Sequence, residues 1–275
     1  MKGTLYIVST PVGNLEDITL RAIRILGEVD IIAAEDTRHS VKLLNHLGIR
    51  KPMISYWREK EQVRSDEIIK RLHAGQSIAL ISDAGTPGIS DPGAVLIKKA
   101  IEENIQILSI PGPSAFVAAL SVSGLPTDKF TFIGFLPSRK SQRQKVLREL
   151  CLEQRTLIFY EAPHRIVETL FDMSHVFGER RSALVKEITK IHEAVMRWSI
   201  VEIISEVQET VIAGEYVILV EGFAGSYKIV TEDVLPELHR LMKKGIGRKE
   251  AVKRIAETYG LSKKDLYKKS LNETP

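Results

Sequence analysis

The chain has 275 residues, 44% hydrophobic and 27% charged, with a formal net charge of +4 and one cysteine, Cys151. That length suits two medium domains with a small appendage, and that balance is ordinary for a soluble globular protein. A single cysteine excludes an intrachain disulfide and points to a cytoplasmic protein, and no apolar run approaches the ~20 residues of a membrane span.

The first part alternates strands and helices. Thr4 to Ser9 reads as a strand, and its apolar run is too brief for a signal peptide. Thr19 to Leu26 has helical spacing, Asp30 to Ala34 is the next strand, and Ser77 to Ser82 is a buried strand followed by the turn Asp83 to Gly88. Ala94 to Glu103 is a helix, Gln106 to Ser109 a strand, and Pro111-Gly112-Pro113 opens another helix. Repetition of strand, glycine-bearing turn and helix predicts a mostly parallel sheet covered on both faces. A domain over residues 1–124 follows, with its boundary near Gly124-Leu125-Pro126.

Residues 125–225 differ. Phe130 to Phe135, Thr156 to Tyr160, Ser182 to Glu187, Glu193 to Trp198 and Tyr216 to Glu221 read as strands, separated by two strong helices near Gln142 to Leu150 and Ile166 to Val176. A mixed sheet in a second α/β domain is expected. Residues 226–275 are helical throughout: Thr231 to Lys243, then Arg248 to Tyr259 closed by Gly260 as C-cap, then a helix opened by a capping box at Ser262 to Asp265. The tight turn between the last two resembles a helix-turn-helix.

Charge is unevenly placed. From Ser226 to Pro275 there are twelve Lys and Arg against seven Asp and Glu, a net of +5 that leaves −1 for the other 225 residues. A second basic stretch runs through Arg139, Lys140, Arg143, Lys145 and Arg148. Each run alone reads equally well as a solvated helix face; together they favour a polyanionic partner.

The histidines are scattered, no Cys/His pair has metal-ligand spacing, and no metal site is expected. Nucleophile-elbow, Walker A and G-x-G-x-x-G sequences are absent. Four turns, Pro11 to Asn14, Glu35 to Arg38, Asp83 to Gly88 and Pro111 to Ser114, each follow a predicted strand. In an open parallel sheet such loops line one crevice, where ligands bind. Within Glu35-Asp36-Thr37-Arg38, Asp36 reads either as the N-cap of a following helix or as part of a site in which Arg38 grips phosphate beside a carboxylate; the residues leave both open.

Five segments, Ser9 to Leu15, Ala34 to Arg38, Ser82 to Gly93, Ile110 to Ala115 and Tyr160 to Arg165, together with Lys186 to Lys190, resemble the ribosomal-RNA-modifying members of the tetrapyrrole methylase-like superfamily. The resemblance spans nearly the whole chain, basic helical tail included. It implies two α/β domains with S-adenosyl-L-methionine in the cleft between them, a homodimer, and a target at the ribose 2′-hydroxyl of a cytidine in the decoding region of 16S ribosomal RNA, within the small ribosomal subunit. Family cofactor contacts carry over onto Pro11, Ala84, Gly85, Thr86, Ile89, Ser114 and Ala115. Tetrapyrrole-modifying relatives carry a Gly-Asp-Pro type turn where this chain has Ala84-Gly85-Thr86-Pro87.

A sulfonium donor is already activated, so the difficulty lies in the hydroxyl. Alignment of oxygen, methyl carbon and sulfur is worth roughly 7–11 kcal/mol in the best intramolecular models, and a positioned base contributes ~10²–10⁴-fold. Glu35, Asp36 and Glu187 are the candidate bases, with Lys186 if burial lowers its pKa. Arg38 and Arg165 are the candidate phosphate holders. In the tail, Arg248, Lys249, Lys253, Lys263, Lys264 and Lys268 are expected to contact RNA, so that loss of residues 226–275 weakens RNA binding and spares the donor site. The rival expectations are a tetrapyrrole methylase of the same fold and a non-catalytic ribosomal RNA-binding assembly factor.

Overall fold

In the computed structural model, residues 2–209, 212–225, 234–243, 245–259 and 261–272 are described. The chain divides into a large unit, Met1–Arg148 with Arg155–Glu221, and a small one, Glu149–Gln154 with Gly222–Pro275.

In the large unit, β1 (Thr4–Val8), β2 (Ile31–Ala34), β3 (Met53–Ser55), β4 (Ile78–Ile81) and β5 (Gln106–Ile110) form one sheet in the order β3-β2-β4-β1-β5. Every pairing is parallel. Both faces are covered, which is why β2 and β4 are apolar at every position. Alternate residues point to opposite faces. Leu5, Ile31, Ala33, Ile78 and Leu80 pack with helices α3 (Glu61–His73) and α4 (Ala94–Glu102). Val8, Ile32, Ala34, Ala79 and Ile81 pack with α1 (Leu20–Glu28) and α2 (Thr37–His46). The helix starts are built by local chemistry: Thr19 Oγ1 accepts from the Ala22 amide at 3.1 Å, and Asp36 caps α2 through the Arg38 amide at 2.8 Å. A parallel sheet puts all its strand-to-helix turns on one edge, and that edge carries the site.

The second sheet has the order β6-β7-β10-β8-β9, from β6 (Phe130–Phe135), β7 (Thr156–Glu161), β8 (Arg181–Lys186), β9 (Ala194–Ser199) and β10 (Tyr216–Val220). Only β6–β7 is parallel, so the sheet is mixed. Helix α5 (Ala115–Ser123) follows β5 yet packs on this second sheet, burying Ala119 and Leu120 with Ile158, Val185, Val217 and Leu219. Three helices, not two, interrupt these strands: α6 (Lys140–Glu149), α7 (Ile166–Phe177) and α8 (Ile200–Gln208). The last is opened by a capping box between Ser199 and Glu202.

One member of the central basic stretch is turned inward. The Arg143 side chain is fully buried; its Nε donates to Asp172 at 2.6 Å, and its Nη2 lies 2.7 Å from Glu168 as a close charge. Gln144 donates to the other Asp172 oxygen at 2.8 Å. Arg143 therefore joins α6 to α7 and is not part of a solvated basic face.

The small unit contains α9 (Leu235–Lys243), α10 (Arg248–Tyr259) and α11 (Lys263–Asn272) around Leu238, Val252, Ile255, Ala256 and Leu266. Ser262 Oγ accepts from the Asp265 amide at 3.3 Å. The start expected at Thr231 and the C-cap expected at Gly260 lie outside the described residues. Among the described residues, no helix is long and apolar enough to cross a membrane.

Candidate active site

The turns after β1, β4 and β5 are knitted together at the strand ends. Thr10 and Gly85 exchange backbone hydrogen bonds at 2.8 and 3.0 Å, and the hydroxyls of Ser9 and Thr86 meet at 2.8 Å. Gly112 allows the β5 turn to close on β1: a Cβ there would sit 2.8 Å from the Ser9 Cβ.

These turns open onto a cavity of about 620 Å³ in the large unit. The first sheet contributes Val12, Ala84-Gly85-Thr86 and Ile89-Ser90-Asp91, and the start of α5 contributes Ser114 to Val117. Opposite them stand residues from the second sheet: Phe135 of β6, Tyr160 and Glu161 of β7, Ile188 after β8, and Glu215 to Val217 at β10. The two sheets touch where β6 carries a bulge between Phe132 and Gly134. Gly134 has φ +73°, and a Cβ there would lie 2.8 Å from Ser90 Oγ, so glycine is what lets the β4 turn approach β6.

Six of the seven expected cofactor residues line this cavity: Ala84, Gly85, Thr86, Ile89, Ser114 and Ala115. Pro11 is buried beside them, and its neighbour Val12 reaches the cavity. The expected bases and phosphate holders stand outside the lining. Asp36 and Arg38 form a bidentate pair at 3.1 and 2.7 Å, which holds the Asp36 carboxyl at about 2. Glu187 accepts from Lys190 at 2.8 Å and from the Glu215 amide at 2.9 Å; the Lys190 ammonium keeps its carboxyl below the usual range. Both acids are poor proton acceptors. Lys186 ends β8 and is half-buried. Arg165 donates through Nη2 to the carbonyl of Leu136 at 2.8 Å and to Glu161 at 3.2 Å. Buried Glu161 also accepts from Thr169 at 2.7 Å, so this arginine belongs to an internal network supporting the cavity wall.

Glu35 behaves differently. Burial pushes its carboxyl up, with the Asp83 charge adding to the rise and the Asp83 amide, which donates to it at 3.4 Å, opposing it. Asp83 in turn accepts from the Asp36 amide at 3.1 Å.

Sequence reasoning missed two residues. Asp91 lines the cavity close to Glu35 and Asp83; burial first, then the Glu35 charge, push its carboxyl up from 3.8 to about 7. Tyr160 accepts from the Phe116 amide at 3.2 Å and is pushed up to about 12 by burial, so its hydroxyl stays neutral. Asp91 lies inside a motif the sequence singled out, but Glu35, whose charge raises it most, comes from another strand; Tyr160 carried no separate signal. Among the described residues, no group of three or more His, Cys, Asp or Glu could hold a metal ion.

The tail residues Lys249, Lys253, Lys263 and Lys264 line a groove of about 350 Å³ in the small unit, with Val252 and Tyr267 as its apolar part. Lys263 pairs with Glu257 at 2.7 Å. Arg248 opens α10 and Lys268 lies on α11; neither lines the groove.

The model of the tetrapyrrole (corrin/porphyrin) methylases matches residues 4–204. The chain is 45% identical to the ribosomal RNA small subunit methyltransferase I of Halalkalibacterium halodurans, over 97% of this chain and 94% of that one. It is equally similar to the Synechocystis protein of the same name, over 98% of both chains, and 42% identical to that of Escherichia coli O157:H7. Among solved structures, a diphthine synthase aligns with TM-score 0.61 at 12% identity, over 80% of this chain and 90% of that one. The uroporphyrin-III-C-methyltransferase of Thermus thermophilus aligns with TM-score 0.54 at 21% identity, over 82% and 96%; at such identities the likeness is one of fold. With two α/β domains meeting at one cavity, a helical C-terminal part and relatives matched over nearly its full length, the chain belongs to the tetrapyrrole (corrin/porphyrin) methylase family, among the relatives named ribosomal RNA small subunit methyltransferase I.

Proposed function

We propose that the protein transfers a methyl group from S-adenosyl-L-methionine to the ribose 2′-hydroxyl of a cytidine in the decoding region of 16S ribosomal RNA, acting in the cytoplasm as a homodimer. The observation that supports the reading most is that six residues expected to hold the donor, from two separate turns, line one cavity. Its volume falls in the ~300–1,000 Å³ range of small-molecule sites. The lining is mostly apolar and includes the acids Asp91, Glu161 and Glu215 but no Lys or Arg, which suits a cationic ligand. When bound, the donor supplies a methyl group on a sulfonium whose leaving group departs neutral.

The chain's own residues do the rest. Ala84, Gly85 and Thr86 offer close backbone approach on one wall, and Ser114 with Ala115 forms the helix start on another. Tyr160, hydrogen-bonded to the Phe116 amide, fixes the second sheet against that helix start. Residues 1–124 and 125–225 are the two α/β domains of this reading, and 226–275 the RNA-binding module. Incubation with labelled donor and small subunits lacking the modification is expected to place one methyl on a decoding-region ribose. Transfer to a tetrapyrrole and none to subunits would overturn the assignment.

The small unit supplies affinity through phosphate contacts, with Arg248, Lys249, Lys253, Lys263, Lys264 and Lys268 as its cations and Arg38 as a further contact from the large unit. Changing Lys249, Lys253 and Lys264 together to Gln is expected to lower the slope of log affinity against log salt by about 2, at ~0.7 per phosphate contact on single strands. Calorimetric donor affinity is expected to stay within a factor of about 2. A salt slope unchanged from the parent protein would remove the groove from RNA binding.

A further inference from the structure

We propose that the groove between α10 and α11 seats an unpaired RNA base stacked on Tyr267, an inference that rests on the ribosomal-RNA reading above. Helix α10 supplies Lys249, Val252 and Lys253, and α11 supplies Lys263, Lys264 and Tyr267. Spacings of three and four place each set on one face of its helix. The two helices pack on each other over buried Val252, Ile255 and Leu266. Tyr267 is half-buried, packing in part against that core and in part lining the groove. Its ring is therefore held by the fold before any ligand arrives.

Charge and shape together select the occupant. Lys263 is ion-paired with Glu257 at 2.7 Å, whereas Lys249, Lys253 and Lys264 enter no salt bridge among the described residues. Glu250, the acid beside Lys249, is engaged by Arg254 at 2.9 Å. The rim thus keeps an excess of positive charge, which suits phosphate. Phosphate alone has no use for the apolar lining that Val252 and Tyr267 add. The helix-turn-helix likeness of this unit suggests a reader of duplexes, but a duplex keeps its bases stacked on one another, and the deep, narrow major groove of A-form RNA admits no side chain. An unpaired base offers a π-face to the tyrosine ring and sets its own phosphates against the lysines. At about 350 Å³ the groove lies at the small end of the ~300–1,000 Å³ range of small-molecule sites, a size for one nucleotide and not for a stacked run.

The two contributions differ in kind. Phosphate contacts release counterions, so their share of the affinity falls as salt rises. Stacking on an aromatic side chain is worth roughly 5–150-fold per base, tolerates any sequence and releases no counterion. Tyr267 thus sets the preference for single strands, and the lysines set the salt dependence.

The test separates these contributions in the full-length protein. Tyr267→Leu keeps apolar bulk against the helical core and removes the π-face. It is expected to weaken binding of an unpaired RNA of about ten nucleotides by ~5–150-fold, with affinity for the duplex of the same sequence within about twofold of the wild type. The salt slope for the unpaired RNA is expected to stay that of the wild type, because every lysine remains. Tyr267→Phe keeps the ring and is expected to bind the unpaired RNA within about threefold of the wild type. Helix content by circular dichroism equal to that of the wild type reports that both variants fold. In the wild type itself, 4-thiouridine placed in the unpaired RNA is expected to cross-link to Tyr267 on irradiation; cross-links confined to other residues overturn the proposal. So does a Tyr267→Leu variant that binds unpaired RNA as tightly as the wild type, or one that loses unpaired RNA and duplex equally. Displacement of the RNA by an oligoglutamate of the same charge, as readily as by unlabelled RNA, would mark a surface for acidic protein and also overturns it. If the wild type methylates small subunits while Tyr267→Leu discriminates nothing, the groove alone falls; if the wild type neither binds RNA nor methylates subunits, the underlying reading falls and the proposal with it.

Discussion

Arg143→Met is expected to destabilise the large unit by about 3–5 kcal/mol in urea unfolding, the cost of removing one partner from a buried ion pair. Asp172 is buried, and without the guanidinium it keeps the Gln144 amide as a side-chain donor. Glu168 is more than half exposed and relaxes into water, so the penalty falls chiefly on Asp172. The double variant Arg143→Met, Asp172→Leu removes the stranded charge and is expected to recover most of the loss, because apolar replacement of a buried pair is often neutral. A double variant no more stable than the single one would show that the clamp acts through packing of the arginine stem.

Ala115→Trp is expected to weaken S-adenosyl-L-methionine binding by at least about 100-fold, or roughly 2.7 kcal/mol. Ala115 is the first residue of α5, lies on the cavity and packs only in part against the core beneath. An indole at this place fills the space opposite Gly85 and Thr86 while leaving the buried Ala119 and Leu120 undisturbed. The ligand-free Tm is expected to move by no more than about 2–4 °C, equivalent to ~1 kcal/mol for a unit of this size. The donor-induced rise in Tm expected of the wild type should vanish. Donor affinity equal to that of the wild type would place the ligand elsewhere.

The sequence displayed those strands that are buried on both faces or whose ends carry glycine or proline. Strands β2 and β4 read out directly because both faces of a central parallel strand are apolar, and the edge strand β5, exposed at Gln106 and Ser109, because Pro111-Gly112-Pro113 closes it. Helix α3 escaped notice because its buried Ile68, Ile69 and Leu72 lie among charged residues and its exposed Val63 breaks the stripe. The three-residue strand β3 is too short to show a period. Helix α8 follows β9 without a break, and its run Ile200-Val201-Glu202-Ile203-Ile204 looks like more strand; only the Ser199 capping box marks the change. For the site, the turns that make the first wall were legible as motifs. The facing wall was not, since Phe135, Tyr160, Ile188 and Tyr216 meet through sheet pairing over long sequence distances. Asp91 shows the same limit: an ordinary acid in the sequence becomes a basic one when acids from the ends of β2 and β4 arrive beside it.

The small unit is not contiguous. Residues 149–154 belong with 222–275, and the Phe223 amide donates to the Glu153 carbonyl at 2.6 Å. During translation the earlier piece leaves the ribosome roughly seventy residues ahead of its companion. At about 5–20 residues per second that gap lasts several seconds. The nascent chain thus carries a waiting hexapeptide, Cys151 included, while β7 to β10 are still being made, and the helical tail can complete its own packing only after all five strands of the second sheet have emerged.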